Sequence, residues 1–258
     1  MTPRTKKILL LVTVLAMSAG VCLLLCASTR HRKEVICDGL RVEFADNLKF
    51  VTEGDIKGYL EHWYGGYVGQ RLDSVNLAKV EKILDEQSAI LKSEAFTTED
   101  GMLNVRILQR EPVLRFQKGG TGFYVDSRGF IFPLQDNSTV QVPVVDGNIP
   151  GSCEPGYKGK ARTEKEEAWI ADMMSLMDYI SHDKTWKNGI VQVAVDKDGD
   201  IVLVPAEGVE KFIFGAPDEF KQKFDRIAKY YEYIKPARPD SCYTSVNVKY
   251  EGQIICRK

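Results

Sequence analysis

The sequence predicts an α+β chain in three parts: an N-terminal transmembrane helix, a small βααββ domain, and a mostly antiparallel β domain with two covering helices. Three observations predict it. Ile8 to Ala27 is an uncharged, largely apolar run. From Glu34 to Pro112 apolar residues recur first at helical and then at alternating spacing. From Val113 onward short alternating runs are separated by turn signals and interrupted by two stretches of helical period.

The run Ile8 to Ala27 holds 20 residues, and a helix of that length spans about 30 Å, the hydrocarbon thickness of a bilayer. It is too long for the apolar core of a signal peptide, and the pairs Leu25/Ala27 and Cys26/Ser28 make poor cleavage sites. A retained anchor is therefore expected. Arg4, Lys6 and Lys7 precede it and Arg30, Arg32 and Lys33 follow, so flanking charge scarcely decides orientation. Long C-terminal domains translocate largely regardless of such charge, which makes residues 1–7 a short cytoplasmic tail and 28–33 an external linker. With 258 residues, 44% hydrophobic and 28% charged, the chain has enough material for two modest domains. A formal charge of −1 gives no electrostatic reason to expect nucleic acid.

In residues 34–112, Val35-Ile36 and Leu40 to Phe44 supply the opening strand. Thr52 with Asp55 resembles a capping box, and Ile56, Tyr59, Leu60 and Trp63 then mark one helical face. Gly65-Gly66 stops that helix, and Asp73 or Ser74 starts a second with Leu77, Val80, Ile83 and Leu84 on its apolar side. Ile90 to Phe96 and Met102 to Leu108 read as strands joined across Thr97 to Gly101.

In residues 113–258 turns are expected at Lys118 to Gly122, Ser127 to Gly129, Asp146-Gly147 and Asp198-Gly199. One helix opens with the capping box Thr163 to Glu166 and buries Trp169, Met173, Leu176, Met177 and Ile180. The other starts near Pro217-Asp218, buries Phe220, Phe224, Ile227, Ala228, Tyr231 and Ile234, and ends at Pro236 and Pro239. The chain closes on an alternating strand with Val246, Val248 and Tyr250 on one side and Asn247 and Lys249 on the other. A final strand at a sheet edge is a template that another protein can extend.

Patterns for catalysis and metal binding are weak. Asp196 to Asp200 has its Gly too early for a calcium loop and reads as a hairpin. The glycines at 119–122 and 156–159 fit no phosphate-binding motif. His31, His62 and His182 are scattered, and a Cys153–His pair would need a tertiary contact that spacing does not supply. The cluster Met173, Met174 and Met177 could suggest a soft-metal or adaptable binding surface, but Met173 and Met177 fit the helical core stripe. Cys22 and Cys26 fall in the anchor, while Cys37, Cys153, Cys242 and Cys256 lie outside it without a zinc spacing or an assignable disulfide. A two-residue turn at Glu251-Gly252 would set Cys256 opposite Asn247. No cofactor and no enzymatic activity are expected.

Three stretches carry a resemblance: GMLNVRILQREPVLRF at Gly101 to Phe116, GFYVDSRGFIFPL at Gly122 to Leu134, and VPVVDG at Val142 to Gly147. Together with the order of anchor, two-helix domain and β-rich domain, they resemble the FtsQ/DivIB family of bacterial cell-division proteins, in the form found in its Bacteroidota branch. The resemblance implies that residues 34–112 form a POTRA domain and 113–258 the family's β domain. It further implies a non-enzymatic divisome scaffold, single-pass in the bacterial inner membrane, with its C-terminal region in the periplasm at the division septum. Such a scaffold binds FtsB/FtsL-like proteins by extending its last strand, helps to recruit and regulate septal cell-wall synthesis, and meets other division proteins through the POTRA-like domain. Ser245 to Ile255 resembles the family's closing motif, with Asn247 for Asp and Lys249 for Arg. By that likeness Lys249, Tyr250, Gly252 and Ile254 are the expected partner contacts. Competing readings are a POTRA-type module in outer-membrane assembly or secretion, and an exported hydrolase.

Overall fold

The computed structural model describes residues 13–23, 35–151, 154–237 and 243–258. Residues 13–23 are helical. Among the described residues no helix is long and apolar enough to cross a membrane, and the rest of the expected Ile8–Ala27 span lies outside them. The chain divides into two compact units, Met1–Gln109 and Arg110–Lys258.

The first unit is a three-stranded sheet, β1 (Gly39–Phe44), β2 (Ile90–Thr97) and β3 (Met102–Gln109), with helices α1 (Glu53–Trp63) and α2 (Leu77–Asp85). Its strand order is β1-β3-β2, with β1 parallel and β2 antiparallel to β3. The Thr52–Asp55 capping box forms as expected, each side chain taking the other residue's backbone N–H. Ile56 and Leu60 are fully buried, whereas Trp63 is 62% exposed. The second helix starts later than Asp73 or Ser74, because Leu72–Ser74 makes a separate 3₁₀ turn and Asn76 caps α2 by accepting from Lys79 N. Val80, Ile83 and Leu84 then face the sheet side.

The outer edge of β2 is occupied by its own helix. Ser93 N donates to Asp85 Oδ1 at 2.7 Å and Ala95 N to Glu81 Oε1 at 2.8 Å. Two carboxylates on α2 thus take backbone donors that a foreign strand would need.

The second unit contains β4 (Pro112–Lys118), β5 (Thr121–Asp126), β6 (Ile131–Pro133), β7 (Val144–Gly147), α3 (Glu164–His182), a short α4 (Trp186–Gly189), β8 (Ile190–Val195), β9 (Ile201–Pro205) and β10 (Lys211–Gly215). Helix α5 (Phe220–Lys229) runs into a π-helical turn at Tyr230–Ile234, and β11 (Ser245–Asn247) and β12 (Ile255–Arg257) close the chain. Nine strands lie in the order β12-β11-β10-β9-β8-β7-β4-β5-β6. The sheet is mixed, because β4–β7, β7–β8 and β10–β11 are parallel and the other five neighbouring pairs antiparallel.

One of those parallel strands corrects the sequence reading. Asp146-Gly147 is the end of β7 and not a turn. Gly147 has φ +96°, and a Cβ there would stand 2.2 Å from the Val195 carbonyl oxygen. The glycine permits strand contact as well as a reversal, and its local signal does not separate the two.

Helices α3 and α5 share one core with the sheet, formed by Leu114, Phe116, Phe123, Val193, Leu203, Phe212 and Phe214 beneath Ile170, Met173, Leu176, Phe224 and Ile227. Thr163 accepts from Glu166 N, but the Glu166 carboxylate takes Arg162 N, so only half of the expected box is made. On the second helix Ala228 is exposed while Tyr230 is buried. The π turn adds a residue to the period there and rotates the apolar face past the position that a 3.6-residue repeat assigns. Pro236 lies within a last helical turn, Lys235–Ala237, and Pro239 is outside the described residues.

Candidate partner-binding edge

Two sequence motifs meet at the start of this sheet. Arg110 precedes β4 and Asp126 ends β5; their side chains pair at 2.8 Å and are 11% and 5% exposed. The other Asp126 oxygen accepts from Arg128 N and Phe130 N, both at 2.9 Å, which closes the β5–β6 turn. The guanidinium also lies 3.7 Å from the centre of the Phe130 ring. Spacing marked the turn but not its tie to Arg110.

A nine-stranded open sheet has two edges. At β6, Ile131 exchanges two backbone hydrogen bonds with Gly159, at 2.8 and 2.9 Å, so the 156–160 loop covers that side. At β12, among the described residues, no strand pairs with the outer side.

The ladder shows which groups β12 presents. Ser245, Val246 and Asn247 stand opposite Arg257, Cys256 and Ile255. Across β11, Lys211 N donates to Thr244 O at 3.0 Å and Val248 N to Ile213 O at 2.9 Å, so Val246 between them aims its backbone groups at β10, while Thr244 N turns to Arg257 O of β12 at 2.9 Å. Ser245 and Asn247 therefore face β12, and Cys256, opposite Val246, turns its N–H and C=O away from β11. That outward pair is what an added strand would engage.

The expected contacts Lys249, Tyr250, Gly252 and Ile254 occupy the connection from β11 to β12, not a continuous strand. Asn247 Oδ1 accepts from Lys249 N at 3.0 Å, a local bond that competes with the ladder and ends β11 early. Gln253 N reaches Tyr250 O at 3.4 Å and Gly252 has φ +65°, which reverses the chain. The register is one residue from the two-residue expectation, and Cys256 faces Val246 instead of Asn247. Ile254 and Cys256 pack against the core, whereas Tyr250 is 50% exposed.

The lysine is held from below. Lys249 Nζ is 2.5 Å from Asp200 Oδ2, and that hydrogen bond raises its pKa above the ordinary lysine value. It also lies 5.3 Å from the Tyr250 ring centre, so ammonium and ring form one feature. Buried Arg226 on α5 donates from Nε to Val248 O at 2.8 Å, anchoring the strand exit. Glu210, 3% exposed, sits before β10; burial pushes its carboxyl up, but hydrogen bonds from Lys235 and from backbone N–H groups overcome this and hold it below the usual range. Neither Arg226 nor Glu210 stands out in sequence, since a charged residue on a helix or in a loop before a strand is ordinarily assigned to solvent.

Elsewhere, Ser181, His182 and Asp178 cluster at the exposed end of α3. Ser181 Oγ at 3.2 Å and Asp178 Oδ1 at 3.2 Å both approach the same His182 nitrogen, Nδ1. A nucleophile–base–orienter relay needs its two partners on different ring nitrogens. His62 packs edge-on against Trp63 at 4.5 Å. Cys37 and Cys256 are free thiols, and Cys153 and Cys242 lie outside the described residues. Asp196 to Asp200 is a β8–β9 hairpin whose Asp196 Oδ1 accepts from Asp198 N and Asp200 N. Among the described residues no group of three His, Cys, Asp or Glu side chains is placed to hold a metal.

Residues 111–257 match the family model described as FtsQ/DivIB, C-terminal related, and residues 35–108 match that of a POTRA-like domain. No curated protein matches the chain. The first match covers more than half of the chain, and the two together frame the units seen in the fold. The chain belongs to the FtsQ/DivIB family of cell-division proteins, membrane-associated and generally non-enzymatic components of the divisome.

Proposed function

We propose that this protein is a membrane-anchored scaffold of the bacterial divisome that holds FtsB/FtsL-like proteins at the β12 edge and so helps to recruit and regulate septal cell-wall synthesis. Ile8 to Ala27 anchors it in the inner membrane, with residues 1–7 cytoplasmic and both folded units periplasmic, and the POTRA-like unit contributes contacts with other division proteins at the septum. The observation that carries the reading is the β11–β12 register, which turns the N–H and C=O of Cys256 away from β11 at an edge where, among the described residues, no further strand pairs, in a unit matching the FtsQ/DivIB model.

Backbone pairing at such an edge supplies affinity, and neighbouring side chains supply selectivity. Tyr250 and Gly252 flank the edge in an exposed turn, Lys249 steadies the Tyr250 ring, and Ile254 joins the turn to the core. Tyr250→Ala removes a half-exposed ring and should cost the fold under about 0.5 kcal/mol. Ile254→Lys tests the same edge less cleanly, because Ile254 packs inward.

The test is a pull-down with the anchored protein from membrane extract of its own bacterium, wild type against Tyr250→Ala, with mass spectrometry of the retained proteins. FtsB-like and FtsL-like membrane proteins retained by wild type and depleted with the variant support the scaffold. Retention of outer-membrane assembly factors by both baits would refute it.

A further inference from the structure

The second unit has another surface that its edge does not use. A cleft of about 960 Å³ opens where the end of α3, α4, the β9–β10 loop and α5 meet. Its wall is aromatic: Trp186 and Phe224 stack at 4.9 Å, Tyr179 lies 5.3 Å from Phe224, and Tyr231 borders the opposite side. Phe224 is buried, but Tyr179, Trp186 and Tyr231 each leave part of their surface open. Core packing accounts for the first ring, and Lys235 Nζ already lies 4.9 Å from the centre of the Tyr231 ring, which leaves Trp186 and Tyr179 as the partly open aromatic faces.

Apart from Lys235, the charged side chains described in the lining are acidic. Glu207, Asp225 and Glu232 are exposed there, with Asp183 beside them, and among the described residues none of the four pairs with Lys or Arg. The one cation in the lining, Lys235, is 2.7 Å from the buried Glu210 carboxylate and is neutralised by it. Burial, then Asp183 and Asp225, raises the Tyr179 pKa; burial, then Glu210 and Glu207, raises that of Tyr231.

We infer that this cleft is a second docking surface, for a short basic segment of a partner protein that lays an Arg or Lys side chain against Trp186 with its charge toward Glu207, Asp225 and Glu232. Flat aromatic faces favour guanidinium and ammonium groups, and the rim carboxylates supply charge complementarity and a salt-sensitive approach. The same rim repels phosphate, so nucleic acid and anionic lipid headgroups are disfavoured. The volume matches a few side chains and not a whole domain.

The test is selection from a random peptide display library on the full-length protein held in detergent, followed by sequencing of the binders. The comparison variants are Glu207→Gln/Asp225→Asn/Glu232→Gln, which alters exposed side chains outside any ion pair, and Cys256→Pro at the sheet edge. Binders enriched in Arg or Lys beside apolar residues are expected, with affinity falling about tenfold on the triple variant and at raised salt, and unchanged by Cys256→Pro. Binders without net positive charge, equal affinity for the triple variant, or no binders at all would overturn the inference. Loss on Cys256→Pro alone would assign the binding to the edge and overturn it equally, and the edge reading itself stands or falls on its own pull-down.

Discussion

Asp126→Ala should be among the most damaging single changes in the second unit. It takes the Asp126 carboxylate away from the Arg110 guanidinium, which is 11% exposed, and it frees Arg128 N and Phe130 N from the carboxylate that closes their turn. Removing one member of a buried pair costs about 3–5 kcal/mol. The two amides are only partly buried, so water recovers much of their loss, and about 4 kcal/mol is expected in all. Arg110→Ala should cost less, about 2–3 kcal/mol, because Asp126 keeps both backbone donors while the stacking on Phe130 is lost. The double variant should then be less damaging than the sum by about 2 kcal/mol. Urea unfolding followed by tryptophan fluorescence in a Trp63→Phe background reads the second unit through Trp169 and Trp186, and exposed Trp63 can be replaced cheaply. A cost under about 1 kcal/mol for Asp126→Ala, or strict additivity in the double variant, would refute the argument.

Three further outcomes follow from particular contacts. Gly147→Ala forces a Cβ to 2.2 Å from the Val195 carbonyl at φ +96°, so β7 must shift and the urea midpoint should fall by the equivalent of more than about 2 kcal/mol. Burial, with Glu210 nearby, pushes the Tyr230 phenol up to about 12 from the ordinary tyrosine value of 10.0. Its contribution is complete below pH 10 and is lost as pH rises toward 12, so alkaline titration of the melting temperature should show a fall in that window that Tyr230→Phe reduces. Glu81→Ala/Asp85→Ala removes the carboxylates on Ser93 N and Ala95 N and should open the β2 edge, seen as faster amide exchange at those positions and as self-association in sedimentation.

Local features were the most legible in the sequence. Thr52 with Asp55 and Asp198-Gly199 each act over a few residues, and each forms the cap or turn that its spacing implies. The long-range pairings were not legible. Strand β7 is joined to β4 and β8 by parallel ladders that carry no hairpin signal, so its Asp-Gly read as a reversal. The apolar face of α5 was legible at Phe224 and Ile227, and Tyr231 and Ile234 pack partly against the core as expected, but exposed Ala228 and buried Tyr230 were not foreseen, because a π turn is set by packing and not by periodicity.

The candidate site divides in the same way. Alternation at Val246 and Val248 marked two residues that the structure buries completely, and it could not show that Asn247 would end the strand with its own side chain. Tyr250 therefore sits in a turn, and the outermost strand is Ile255–Arg257. The exposed backbone of Cys256 follows from register, a property of the pair of strands and of neither alone.

The edge is tested most directly by replacing that one backbone donor. Cys256→Pro removes an N–H directed away from β11 and leaves the β11 ladder its own bonds, while Cys256→Ala controls for the lost thiol. Co-purification of FtsB/FtsL-like proteins with the full-length wild type and Cys256→Ala, and their loss with Cys256→Pro at an unchanged melting temperature, is the predicted result. Equal recovery with Cys256→Pro would contradict strand addition at β12.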